Sequence, residues 1–201
     1  MRLFYSPGSC SLAPHIVLRE LDLDIPAEKV TLGPQRTTAS GEDYYKINPK
    51  GAVPALEISP GEVLTENAVI LQYLAGLEPG VLLPESGLPR FRVLEAVNFV
   101  STELHKSFSP LFAPNMTPEW RAGQIEYIKK KLALFETVLG DRDYLTGPFS
   151  LADAYAFAVL RWTDAQGITL SPKLAAYRER VGARAKVRQA MEEQGLLQKA
   201  A

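Results

Sequence analysis

The chain has 201 residues, 46% of them hydrophobic and 22% charged, enough to bury one large core or two modest ones. Its 22 basic and 23 acidic residues leave a net charge of −1, and the tilt between the first 80 residues (−4) and the remainder (+3) is too small to argue for nucleic acid or an anionic membrane. The single cysteine excludes an internal disulfide and a multi-cysteine zinc site. Met1–Ser6 lacks the apolar run of a signal peptide, and no stretch approaches the roughly 20 apolar residues of a membrane span, so a cytoplasmic, metal-free protein is expected.

The elements follow in order. Arg2-Leu3-Phe4-Tyr5 reads as a strand that stops at Pro7-Gly8, and Leu12, Ile16, Val17, Leu18 and Leu21 give a helical stripe from about 11 to 23. Lys29–Leu32 is a second strand, followed by a short helical piece around 41–46. Ala55–Ile58 and Glu62–Leu64 flank Ser59-Pro60-Gly61 as a hairpin, and Asn67–Leu77 closes the unit as an apolar helix. This βαβ-α-ββα order predicts a parallel pair followed by an antiparallel pair. Glu78-Pro79-Gly80, with Pro84, Gly87 and Pro89, reads as a linker over 79–88 between a first domain (1–78) and a second (89–201). Beyond it the period is helical, with runs at roughly 90–112, 118–139, 151–166 and 172–195. An α/β domain followed by an all-helical domain is the architecture expected.

Several segments carry candidate chemistry. Cys10 lies between the first strand and first helix, where a helix N-terminus favours a thiolate; the alternative is a small buried hydrophobe. With Ala13 three residues on, Cys10 can form a mixed disulfide with a small thiol but cannot close an internal one. Val53-Pro54 is either a trans proline starting a strand or a cis bond that turns the Val53 main chain outward to pair with a peptide. Thr65-Glu66-Asn67 opens the third helix: Thr65 or Asn67 as a cap and Glu66 as a first-turn acid, or Glu66 on a ligand ammonium with Asn67 and main-chain N–H groups on its carboxylate. Asn98, Thr102, His105 and Lys106 fall near one face of the long helix. Ser150-Leu151-Ala152-Asp153 is a capping box with Asp in place of Glu, placing Asp153 in the core with a structural role.

Taken together these segments resemble the cytosolic glutathione transferases, and within them the bacterial beta class. The resemblance rests on Leu3–Leu12 with His15–Glu20, on Asn48-Pro49-Lys50-Gly51-Ala52-Val53-Pro54-Ala55-Leu56, and on Leu64–Asn67. Thr102-Glu103-Leu104-His105-Lys106 with Pro110-Leu111-Phe112, and the capping box at Ser150, extend it through the second half. It implies a thioredoxin-like N-terminal domain, a helical C-terminal domain, a homodimer and glutathione as co-substrate. It also implies a cis Pro54, pairing of glutathione with Val53, its glutamyl end at Glu66 and Asn67, and Cys10 beside its sulfur. Asn98, Thr102, Glu103, His105 and Lys106 are implied to reach the site from the helical domain. Where the family usually carries a lysine near position 35, Gln35 stands with Arg36 beside it; Asn67 stands where glycine is common; and the Arg-Pro-x-Val turn before the last helix reads Ala183-Arg184-Ala185-Lys186-Val187.

The function implied is transfer of the glutathione thiol to electrophilic, mostly hydrophobic small molecules. Cys10, His105, Tyr5, Ser9 and Ser11 are the candidates for activating that thiol, and Phe108, Phe112 and Trp162 are candidate acceptor-pocket walls. The competing expectations are a glutathione-dependent thiol–disulfide oxidoreductase working through a Cys10 mixed disulfide, and a non-catalytic carrier or interaction protein.

Overall fold

In the computed structural model, residues 1–197 are described, and the last part of the expected second domain, 198–201, lies outside them. The first unit runs β1 (Arg2–Tyr5), α1 (Leu12–Glu20), β2 (Ala27–Thr31), β3 (Thr37–Thr38), α2 (Tyr44–Ile47), β4 (Ala55–Ser59), β5 (Glu62–Thr65) and α3 (Asn67–Leu77). The sheet order is β3-β2-β1-β4-β5. β1 pairs parallel with β2 and antiparallel with β4, and β4 pairs antiparallel with β5, as the βαβ-then-ββα reading requires. The two-residue β3, paired with β2, is an addition to that reading.

Side chains alternate across β1 because a strand repeats every second residue. Leu3 faces α1 and joins the main core, whereas Phe4 turns to the opposite face with Val30, Tyr44 and Ala55. On α1, Leu12, Ala13, Ile16, Val17 and Leu18 are all buried, and the helix packs against α3 and two helices of the second unit.

That second unit contains α4 (Gly87–Phe99), a π-helical turn (Val100–His105), α5 (Lys106–Phe108), a 3-10 turn (Ser109–Phe112), α6 (Pro118–Leu139), α7 (Leu151–Leu160), α8 (Trp162–Gln166), α9 (Pro172–Gly182) and α10 (Ala185–Glu193). α4 begins inside the segment read as linker. The run expected over 172–195 is two helices, because Arg184 adopts an extended conformation as the N-cap of α10. Its guanidinium grips both carboxylate oxygens of Glu20, at the end of α1, at 2.7 and 2.8 Å and lies over the Phe149 ring. α6 and α9 start as their sequences dictate: Thr117 and Ser171 accept from the N–H groups of Trp120 and Leu174, with a proline at the first helical position.

Every residue of α7 is buried. It forms the centre of the molecule, packed on α1, α4, α9 and the π-helical turn. Each buried Leu, Val or Phe side chain there contributes about 1.5–3 kcal/mol. Asp153 opens this helix and accepts four hydrogen bonds, from the Leu145 and Ser150 N–H groups and the Ser150 and Tyr177 hydroxyls, at 2.8–2.9 Å. One core therefore runs through both units and fixes their mutual placement.

Candidate functional site

A cavity of ≈ 440 Å³ opens between the two units. Cys10, Val53, Pro54, Glu66, Asn67, His105 and Lys106 line it together with Lys50, Ser101 and Tyr155. A larger groove of ≈ 560 Å³ beside α4 and the end of α6 is lined by Arg92, Phe99, Val138 and Arg142, and holds no imidazole or thiol.

The first unit contributes two rims. The Val53–Pro54 peptide is cis, and the Val53 carbonyl accepts from the Cys10 thiol at 3.5 Å. The loop from Asn48 to Ala52 is held by Tyr44 and Asn48, which both donate to the Ala52 carbonyl. Gly51 has φ +63°, and a Cβ there would meet the Tyr45 ring at 2.6 Å, so glycine is required for the loop to close. On the second rim Glu66 occupies the N-cap of α3 with φ +71°, so neither Thr65 nor Asn67 is the cap. The first intrahelical bond runs from Val69 N–H to Glu66 C=O, which leaves the Asn67 and Ala68 N–H groups ahead of it at the cavity wall. Lys50 Nζ stands 2.6 Å from Glu66 Oε1 and donates to Thr65 Oγ1 at 3.0 Å. Both charged groups are more than half exposed, so their pairing is worth about 1 kcal/mol or less and is easily exchanged for a ligand.

The Asn67 side chain does not serve as an open donor. It is buried, its Nδ2 donates to the Cys10 carbonyl at 3.1 Å, and its Oδ1 is buried without a partner. Asn67 thus offers the cavity its main-chain N–H and ties the Cys10 loop to α3.

Cys10 departs from the thiolate expectation. It is only 9% exposed, and burial pushes its thiol up to about 12, with the Glu66 carboxylate adding in the same direction. Desolvation outweighs the helix terminus here, because the thiol is turned toward the Val53 carbonyl and an apolar surround. The loop carrying it is gripped from the second unit at Gly8: the Gln194 side chain accepts from its N–H and Trp162 Nε1 donates to its carbonyl at 2.9 Å. Gln194 in turn donates to His15 Nδ1, and His15 Nε2 meets Glu193 at 2.7 Å.

Tyr5 and Ser11, expected near the chemistry, are not among the cavity's lining residues. Alternation along β1 sends Tyr5 onto the His15 ring, 5.4 Å between centroids, away from the cavity. Ser11 is fully buried; its hydroxyl accepts from the Ser6 N–H and bonds to Ser9 Oγ and the Ser6 carbonyl, so both serines are spent on the turn before α1.

From the second unit the π-helical turn re-phases the helix. The Lys106 N–H bonds back to the Ser101 carbonyl, five residues earlier, so that Ser101, His105 and Lys106 line the cavity. Asn98 and Thr102, expected there from helical spacing, and Glu103, implied there by the family resemblance, are not among its lining residues: Thr102 donates to the Asn98 carbonyl at an exposed position, and Glu103 pairs with Lys131. Burial, with Lys106 beside it, lowers His105 to about 4, so the ring is neutral at pH 7. His105 Nδ1 lies 2.6 Å from the Tyr155 hydroxyl, and its ring stands edge-on to Trp162 at 5.0 Å.

Gln35 is exposed in a separate depression with Pro34 and Tyr45, and does not line the cavity; its neighbour Arg36 donates to the Gly51 carbonyl and acts on the loop. Phe108 is fully buried and therefore core. Trp162 is 9% exposed and forms a support behind His105, while Phe112 is 57% exposed and packs its edge on Trp162 at 5.3 Å. None of the three is among the cavity's lining residues.

Sequence reasoning missed Lys50, Ser101 and Tyr155. Lys50 had a signal, a cation ahead of Gly51 in a segment already singled out. Tyr155 carries a hydroxyl in the apolar run Ala154–Leu160, where a partner must exist if the helix is buried. Among the described residues no group of three or more His, Cys, Asp or Glu is placed to hold a metal ion, and no helix is long and apolar enough to cross a membrane.

Residues 8–77 match the sequence profile of the glutathione S-transferase N-terminal domain, and residues 118–180 that of the glutathione S-transferase C-terminal domain. The chain is 41% identical to glutathione S-transferase GstA of Escherichia coli O157:H7, over 98% of this chain and all of that protein. It is 37% identical to glutathione S-transferase GST-4.5 of Xanthomonas campestris pv. campestris, again over 98% and all of that protein. Among solved structures, a sphingomonad glutathione S-transferase complexed with glutathione superposes with a TM-score of 0.92 at 44% identity, covering 98% of this chain and 100% of the other. The bacterial beta class enzyme of Sphingomonas chungbukensis matches with a TM-score of 0.92 at 40% identity over the same shares.

Proposed function

Because the chain belongs to the glutathione S-transferase family, we propose that its inter-domain cavity binds glutathione as co-substrate and presents the thiolate to small, mostly hydrophobic electrophiles. The observation that carries this reading is one cavity holding the Val53 main chain at a cis proline, the α3 N-terminus with its Lys50–Glu66 pair, and His105 with Lys106 opposite. Glutathione is a short peptide bearing an ammonium and two carboxylates. Its cysteinyl segment suits the Val53 main chain as an added strand. Its glutamyl end suits Glu66 for the ammonium and the Asn67 and Ala68 N–H groups for the carboxylate, with Glu66 leaving Lys50.

With the tripeptide so placed, its sulfur lies near Cys10, which stays protonated and turned to the Val53 carbonyl, and within reach of the His105–Lys106 side. Donors and a cation around the sulfur favour thiolate over thiol. The thiol proton passes to solvent, the thiolate attacks the electrophilic carbon, an S–C bond forms, and the leaving group departs with its electron pair. Phe112, exposed and packed on the Trp162 ring that stands behind His105, offers an apolar surface for an acceptor. Burial of Cys10 counts against the oxidoreductase alternative, which needs its thiolate, and the assembled set of charged and main-chain groups counts against a non-catalytic carrier.

Leu88 and Phe91 at the start of α4 and Val69 on α3 are 64%, 63% and 45% exposed, apolar surface that a second copy would cover in a cytoplasmic homodimer. The deciding experiment is calorimetric titration with glutathione, joined to turnover of an aryl halide and, in parallel, of a glutathionylated peptide. Binding with aryl halide conjugation is expected. No binding at millimolar glutathione would sink the reading, and turnover of the glutathionylated peptide alone would replace it with the oxidoreductase.

A further inference from the structure

We infer that Tyr155 is a positioning residue for the conjugation reaction: its hydroxyl donates to His105 Nδ1 and thereby fixes the imidazole as the Nε2–H tautomer, which offers the cavity a neutral donor. The inference rests on the glutathione reading of that cavity and assigns a division of labour within it.

The geometry begins with two side chains 50 residues apart in sequence. The phenol oxygen and Nδ1 are 2.6 Å apart, a short contact in which one group must donate and the other accept. A phenol is the stronger acid of the two and a neutral imidazole the stronger base, so the favoured arrangement is O–H to N. A surrounding fact agrees. Asn67 Oδ1, another buried acceptor lining this cavity, has no partner, so the phenol proton is not spent there.

Burial keeps both members neutral: the phenol is pushed up to about 12 and the imidazole down to about 4. The groups acting on the pair are Lys106 on the imidazole and Cys10 and Glu66 on the phenol; the residues packed against the imidazole, Tyr155 and Trp162, are uncharged. The ring is also fixed in orientation, edge-on to Tyr155 on one side and to Trp162 on another. With Nδ1 occupied, Nε2 carries the ring proton on a side chain that lines the cavity. A histidine whose second nitrogen is held by a hydrogen bond has its tautomer selected by that bond. At the glutathione sulfur or at a departing anion, such a donor acts without having to be protonated first.

Nitrogen-15 NMR of the imidazole rings in the wild-type protein reads the tautomer directly. The chain has two histidines, and loss of one signal set in His105→Ala assigns them. His105 should show a protonated Nε2 and an unprotonated Nδ1 at pH 7; a protonated Nδ1 overturns the inference whatever any variant does. Tyr155→Phe keeps the ring and removes only the hydroxyl. It should give a mixed His105 tautomer and lower kcat about 10-fold or more, with KM for glutathione changed less than about 2-fold. A folded Tyr155→Phe protein with wild-type kcat overturns the inference and leaves glutathione transfer standing. A wild-type protein that binds no glutathione removes both.

Discussion

Added at pH 7, a small uncharged disulfide such as dithiodipyridine should modify Cys10 about 100-fold more slowly than the same cysteine in the urea-unfolded chain. An ordinary thiol, with pKa about 8.5, is about 3% thiolate at pH 7. With the Cys10 thiol pushed up to about 12, that fraction falls to about 10⁻⁵, a deficit of roughly 3,000-fold. A more basic thiolate is also a better nucleophile, by about 0.4–0.5 log unit per pKa unit, which returns roughly 40-fold. The net factor is about 80, and the 9% exposure of the residue adds a steric factor in the same direction. The same shift has a stability signature. Between about pH 8.5 and 12 the unfolded chain has lost this proton while the folded one keeps it, so stability falls as pH rises, by up to about 1.4 kcal/mol per pH unit. Below pH 8.5 both states hold the proton and the contribution is constant. Urea unfolding of wild type and Cys10→Ala at pH 8, 9 and 10 isolates the effect from other titrating groups: the wild type should lose stability more steeply. A folded protein modified at pH 7 as fast as the unfolded chain, with parallel pH slopes for the two proteins, would refute the burial argument and restore the helix-terminal thiolate.

Asp153→Ala strands the Leu145 and Ser150 N–H groups in the core, at about 1–3 kcal/mol each. Its melting midpoint should drop by roughly 5–20 °C in a chain of this size, measured without glutathione so that ligand does not mask the loss; a drop under about 2 °C would contradict the capping-box reading. His105→Ala should lose most turnover, and, because its ring packs on Tyr155 and Trp162, it should also melt a few degrees early. Glu66→Ala should weaken glutathione binding by about 1–3 kcal/mol, since it removes a charge-assisted bond to the ammonium. Lys50→Ala, which frees Glu66 from its neighbour, should leave the melting midpoint within about 1 °C. Equal glutathione affinity in wild type and Glu66→Ala would confine Glu66 to an electrostatic role at the α3 terminus.

What the sequence disclosed depended on whether a feature is local. β1, α3 and the β4–β5 hairpin are written in periodicity and in Ser59-Pro60-Gly61, and they stand within a residue or two of where those signals place them. Asp153 is legible for the same reason: a capping box is a contact between residues three apart. The thiol of Cys10 is the opposite case. Helix position is visible in sequence, burial is not, and burial is the larger of the two opposing effects on this thiol. The π-helical turn shows how a small backbone event propagates. One extra residue in a turn rotates everything after it by about a quarter of a circle, which removes Thr102 from the cavity face and leaves Ser101 on it. A regular 3.6-residue count cannot anticipate that, because amino-acid type in Val100–His105 carries no mark of the change. Tyr155 follows from the same logic. Its role is set by a partner on another helix, so a run that reads as uniform core contains the one hydroxyl that holds the site's imidazole. The residues hardest to find were therefore those that join α7 to the π-helical turn across the cavity, and a search for polar atoms inside apolar helical runs is the sequence test that would have reached them.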